Sequence, residues 1–117
     1  MQKNLRLRKP KEFSRVYRLG TSWVDSVFVL KALPNRADGI SRFGFSVGKR
    51  LGNAVQRNAI KRRTRESVRQ ISVREGWDIA FIARSGSKRA TYSQLDSSVK
   101  RLLDRAGLLK DTVGKRQ

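Results

Sequence analysis

The sequence contains no histidine and no cysteine in its 117 residues. The imidazole that exchanges protons near neutral pH is therefore missing. So is the thiolate that attacks a substrate or ligates a metal. Neither a disulfide framework nor a thiolate metal site is open to the chain, and a cysteine-free chain fits the cytoplasm. Acids are scarce as well, nine Asp and Glu against 28 Lys and Arg. They stand at Glu12, Asp25, Asp38, Glu66, Glu75, Asp78, Asp96, Asp104 and Asp111, scattered singly, with only Glu75 and Asp78 near each other. A two-metal nuclease needs clustered carboxylates, and this pattern supplies none. No apolar run reaches spanning length, and the basic N-terminus leads into no apolar segment of the kind a signal peptide carries. A membrane partner is therefore not expected.

What is abundant is positive charge, a net +19 with a pI near 11.7. That excess asks for a polyanion, and with the membrane set aside the polyanion is nucleic acid. The length suits one domain, residues 1–117, with a modest core.

The charge is concentrated on the stretch from Lys49 to Glu66. It opens as a loop containing Gly52 and continues as a helix expected to reach Ile71. At helical spacing Ile60, Thr64, Ser67, Val68 and Ile71 form one stripe fit for a core. Asn58, Lys61, Arg62, Arg65 and Arg69 fall on the opposite side, with Arg57 and Arg63 flanking the stripe. A helix that is merely solvated usually mixes signs. Here Lys61/Arg65 and Arg65/Arg69 are like-charged pairs at i, i+4, which only an anionic partner would favour. Guanidinium forks suit phosphate, and Asn58 could add a hydrogen bond to a sugar or base.

Along the chain, residues 1–9 read as a basic arm, loosely ordered until it meets its partner. A helix is expected from Pro10 to Leu19, stopped at Gly20. Phe13, Val16 and Tyr17 share one face of it. That face could pack on the core, or Phe13 and Tyr17 could line a groove where single-stranded bases stack; both hold if the helix covers the rim of a sheet. Trp23–Leu33 and Ile40–Gly48 read as strands separated by a polar turn over residues 34–39, and they are expected to pair as an antiparallel hairpin. In the second strand Phe43, Phe45 and Val47 alternate with Arg42, Gly44 and Ser46. Phe28 reads mainly as core, with a possible place in the groove beside Lys31. Trp77–Arg84 is apolar enough for an interior strand. A basic loop over residues 85–90 leads to a capping box at Thr91 and Gln94. A last helix carries Leu95, Val99, Leu102, Leu103 and Ala106 and ends at Gly107. Residues 108–117 read as a frayed tail. The order is α-β-β-α-β-α, a small α/β (α+β) sandwich with helices packed on a mainly antiparallel sheet.

Lys49-Arg50-Leu51-Gly52-Asn53-Ala54-Val55-Gln56-Arg57-Asn58, then Ile60-Lys61-Arg62 and Arg65-Glu66, resembles the signature of the bacterial ribonuclease P protein subunit. One position departs, Ala59 standing where the family's pattern has a second arginine. The likeness extends to Phe13, Tyr17, Gly20 and Thr21-Ser22. Lys31 falls where some relatives carry an aromatic. The resemblance implies a left-handed crossover around the central helix, where the general rule would give a right-handed one. It implies a ribonucleoprotein whose RNA subunit, with Mg²⁺, removes the 5′ leader of precursor tRNA. Lys49, Arg50, Arg57, Asn58, Lys61, Arg62 and Arg65 would bind the catalytic RNA; Phe13, Tyr17, Phe28 and Lys31 would form the leader groove.

Composition alone would equally suit a ribosomal protein or a general RNA chaperone. The ordered match from Lys49 to Glu66 speaks against both. A helix-turn-helix DNA regulator is disfavoured because strands, not a partner helix, flank the central helix. A stand-alone nuclease lacks its histidine and its carboxylates.

Overall fold

The computed structural model describes residues 6, 7, 9–35 and 39–110. Most of the basic arm, the middle of the 34–39 turn and residues 111–117 lie outside the described residues. Helix α1 spans Pro10–Leu19, strands β1 Thr21–Val24, β2 Phe28–Pro34 and β3 Arg42–Ser46, helix α2 Ala54–Arg69, strand β4 Trp77–Ala83 and helix α3 Tyr92–Arg105. The order is thus α-β-β-β-α-β-α, with one strand more than the sequence pattern indicated.

The added strand comes from a turn hidden in the run Trp23–Leu33. Asp25 accepts hydrogen bonds from the amides of Val27 (2.8 Å) and Phe28 (2.9 Å), which reverses the chain and pairs β1 with β2. The expected hairpin between Trp23–Leu33 and Ile40–Gly48 does not form. The sheet order is β1-β2-β4-β3: β2 pairs with β4 antiparallel, and β3 pairs with β4 in parallel. Two pairings of the three are antiparallel, so the sheet is mainly antiparallel as expected. Helix α2 is the connection between the parallel strands, the usual way to join such a pair.

Alternation along the strands gives the sheet two different faces. Phe28, Leu30, Ala32, Phe43, Ile79 and Phe81 are buried on one face, against Val68 of α2 and Leu95, Val99, Leu102 and Leu103 of α3. The stripe of α2 is buried as its spacing predicts, at Ile60, Thr64, Ser67 and Val68. Thr91 and Gln94 cap α3 reciprocally. Gly107 follows that helix at φ +73°. The expected fraying after Gly107 does not begin there. Leu108 and Leu109 are buried, Leu108 donates to the Leu103 carbonyl (2.9 Å), and Leu109 bridges Val73. A hydrophobic residue just past a C-terminal glycine commonly folds back onto the helix.

Helix α1 covers the other face, with Val16 wholly buried. Gly44 makes its close approach feasible, since a Cβ there would collide with the Phe13 ring. One polar network fixes the helix. The guanidinium of Arg42 grips Asp78 through Nε and Nη2 (2.9 and 2.8 Å) and donates from Nη1 to Glu12 (2.7 Å). A strand residue thereby ties the first turn of α1 to β4.

Asp25 also joins the turn to α3, accepting from Ser98 Oγ (2.6 Å) and Arg101 (2.8 Å). Burial alone would raise its pKa, but the Ser98 hydroxyl, the Phe28 amide, Arg101 and the Val27 amide together carry it below the ordinary value. A depressed folded-state pKa means a contribution to stability that is present above the unfolded pKa, about 3.9, and lost as pH falls through the lower folded value. Asp25→Asn is therefore expected to be less stable than the parent at pH 7, with the gap narrowing below about pH 4. Urea melts at both pH values check this, and a gap that stays constant would contradict it.

Candidate nucleic-acid interface

Two grooves open beside α1 and share Tyr17 and Ser46, so they form one trough. The first, about 360 Å³, lies between α1, β3 and α2, with Phe13, Tyr17, Val47, Lys9 and Lys61 on its walls. The second, about 680 Å³, continues past Tyr17 to Lys49, Arg50 and Lys88. Phe13 and Tyr17 meet edge to face, ring centroids 5.2 Å apart. Tyr17 is 38% exposed, whereas Val16 between them faces the sheet and is sealed. The aromatic stripe is thus divided, one residue for the core and two rings for the groove. Lys31 donates from Nζ to the Tyr17 carbonyl (2.9 Å) and lies 5.8 Å from the Tyr17 ring centre. Its ammonium sits near the C-terminal end of α1, where the helix dipole favours a cation.

Phe28 does not belong to this trough. It is 2% exposed, on the α2/α3 face of the sheet, edge to face with Phe81 at 5.6 Å. Strand parity puts it on the side opposite α1, and no base can reach it.

The loop before α2 is built by its own residues. Lys49–Leu51 form a 3₁₀ turn with Leu51 buried beside Val47 and Ile60, which leaves Lys49 and Arg50 exposed. Gly52 adopts φ +138°, and a Cβ there would collide with Gln56. Asn53 caps α2, accepting from the Gln56 amide (2.9 Å), while the Gln56 side chain accepts from the Asn53 amide (2.8 Å). The sequence reading found the equivalent box at Thr91 and missed this one, although Asn followed three residues later by Gln was the signal. Arg57 folds back to the Gly52 carbonyl (Nε, 3.2 Å).

On α2 itself, Asn58 and Arg62 are exposed, and Lys61 turns into the trough toward α1. Ala59, half-buried, occupies the position of the departing arginine. Arg65 is partly buried. Burial first, then the charges of Arg6 and Arg62, hold its guanidinium below the ordinary arginine value. Sequence reasoning also missed Lys9 and Lys88, because their place in the trough is set by tertiary packing.

Six of the described acids, Asp25 among them, are held by nearby cations and polar groups. Glu12 and Asp78 bind Arg42, Asp96 binds Lys100 and Ser67, Glu66 binds Arg69, and Glu75 lies 3.5 Å from Lys110. Among the described residues no three acids come together. No described helix is long and apolar enough to cross a membrane.

The family model for ribonuclease P matches residues 1–107. The chain belongs to the ribonuclease P protein family. A ribonuclease P protein component from Roseiflexus castenholzii is 47% identical over 116 residues, covering 97% of this chain and 94% of that one. One from Clostridium novyi is 45% identical, covering 92% and 98%. Among solved structures, the Staphylococcus aureus RNase P protein superposes with a TM-score of 0.83 at 36% identity, covering 91% of this chain and 98% of that one. The RNase P protein from Thermotoga maritima gives 0.76 at 30%, covering 86% and 96%. Ribonuclease P membership places the chain in a ribonucleoprotein that processes tRNA, with RNA as its partner.

Proposed function

We propose that this chain is the protein subunit of a cytoplasmic ribonuclease P and binds two RNAs at once: the catalytic RNA through the α2 face, and the 5′ leader of precursor tRNA through the trough. The observation that carries this reading is the trough itself. It presents two aromatic rings, the half-buried Phe13 and the exposed Tyr17, between Lys9 at the start of α1, Lys61 of α2 and the cations of the Lys49–Leu51 turn. Stacking on aromatic rings accepts any base, and flanking ammonium and guanidinium groups follow a phosphate backbone. A leader of variable sequence calls for this combination, whereas duplex DNA, with its bases stacked away, does not.

Arg57, Asn58, Arg62 and Arg65, with Lys49 and Arg50, would neutralise phosphates of the catalytic RNA and release counterions. Lys61, on the wall between the two surfaces, would serve both. Phosphodiester hydrolysis would fall to the RNA, with Mg²⁺. Among the described residues no three acids come together to hold Mg²⁺, and Glu12, Asp78 and Asp96 are engaged by other side chains. The chain's own contribution would be to hold the leader in place and reduce repulsion between the two RNAs.

Cleavage of precursor tRNA by a bacterial catalytic RNA, titrated with Mg²⁺ with and without this protein, tests the assignment. The protein alone is expected to cleave nothing, even at high Mg²⁺. With the RNA, it is expected to lower the Mg²⁺ needed for correct 5′ maturation. Cleavage by rigorously purified protein alone would overturn the assignment of chemistry to RNA. An unchanged Mg²⁺ requirement would overturn the assignment to ribonuclease P assembly.

A further inference from the structure

The side chain of Arg65 has an unmet need. Its Nε is buried and has no hydrogen-bond partner among the described residues. An ionised donor left in that state is costly and rare in native proteins. The carboxylate next to it in sequence, Glu66, is taken by Arg69 (3.1 Å) and Gln70 (3.3 Å). Glu12 and Asp78 are bound to Arg42. The charges that do act on Arg65 are those of Arg6 and Arg62, both of its own sign.

Arg6 arrives there by strand geometry. It bridges Phe43 in parallel, and the Leu7 amide donates to the Phe43 carbonyl (2.8 Å), so the N-terminal segment touches the outer edge of β3. Successive residues of an extended chain face opposite sides. Leu7 lies on the α1 side, against Gly44 and in the groove with Phe13. Arg6 accordingly faces the α2 side, where Phe43 packs into the core with Val68. The arrangement brings three guanidinium groups to one place, and among the described residues no carboxylate is paired with Arg65.

We propose that Arg6, Arg62 and Arg65 form a binding site for one phosphate of an RNA backbone, and that filling it fixes Arg6 and Leu7 in strand pairing on the edge of β3. A phosphodiester supplies the acceptor that Arg65 Nε lacks and screens the repulsion among the three cations. Its oxygens match the guanidinium fork. By linkage, docking of the segment strengthens phosphate binding by the factor with which phosphate strengthens docking. The proposal rests on the reading that the α2 face meets RNA. Arg6 and the strand pairing go beyond that reading.

Inorganic phosphate is the first probe, exchanged for chloride at constant ionic strength and followed by NMR. The Arg65 Nε–Hε signal is expected to shift saturably, and the Leu7 amide to gain about tenfold protection from solvent exchange. Arg6→Gln is expected to abolish both effects while the signals of α3 stay in place, which shows that the fold is retained. The second arm measures affinity for the catalytic RNA against salt. Arg6→Gln and Arg62→Gln are each expected to flatten the log–log slope by up to about 0.9. If phosphate moves neither signal, the site is overturned whatever the RNA arm gives. If Arg62→Gln flattens the slope and Arg6→Gln does not, the three-arginine site is overturned while the RNA-binding reading of α2 survives. If neither flattens it, both fail.

Discussion

Asp78→Ala is expected to destabilise the fold by about 3–5 kcal/mol, because it removes one partner of a buried ion pair and leaves the other charged. The Asp78 side chain is only 3% exposed and holds Arg42 bidentately, with Asn35 donating to the same carboxylate (2.9 Å). Water cannot readily replace those contacts. Glu12→Gln breaks the outer contact of the same arginine. That pair is more exposed and sits within the first turn of α1, so its loss is expected to cost nearer 1 kcal/mol. Arg42→Lys is not conservative here, since an ammonium cannot reproduce the fork that reaches two carboxylates. Urea denaturation of the three variants measures the ranking. A cost below 1 kcal/mol for Asp78→Ala would show that the network does not hold α1 to the sheet.

The second large effect concerns binding. Phe13→Ala is expected to weaken binding of precursor tRNA to the holoenzyme by roughly 1–3 kcal/mol, the value of one stacked base. Mature tRNA, which lacks the leader, is expected to bind almost as before. Tyr17→Ala should behave like Phe13→Ala, whereas Tyr17→Phe should be nearly silent, because stacking needs the ring and not the hydroxyl. Phe28→Ala supplies the contrast. It is expected to lower folding stability by about 3–5 kcal/mol and to show no preference between the two tRNA forms. Thermal melts beside both affinities separate these outcomes. Equal losses for precursor and mature tRNA in Phe13→Ala would remove the ring from the leader groove.

The features that were legible in the sequence were local ones. The stripe of α2, the Pro10 start of α1, the Thr91 cap and the apolar run of β4 each depend on residues a few positions apart. Strand neighbours do not. Phe43 and Phe45 alternate in a way that suits pairing with β2 or with β4, and the choice depends on how α2 packs on the whole sheet. Asp25 stands inside the run Trp23–Leu33, which reads as one strand by composition, yet its carboxylate makes the turn. At the site, the cations of α2 and the two groove rings of α1 were visible by spacing. The exclusion of Phe28 was not, because the turn at Asp25 separates it from Trp23 and only the finished sheet shows which side faces α1. The contribution of Arg6 needed the edge of β3 to be in place.

The neighbour order β1-β2-β4-β3 also determines when the RNA-facing surface comes into existence as the chain is synthesised. The β1–β2 hairpin can close as soon as both strands have left the ribosome. β3 is made before α2 but lacks its partner within the sheet until β4 emerges. Ser46 and Val47, at the end of β3, line the trough and take their places only then. A nascent chain halted before Trp77 therefore carries both groove aromatics and most of the cations, yet has no groove to offer a leader. Completion of the sheet and formation of the leader trough are therefore one event.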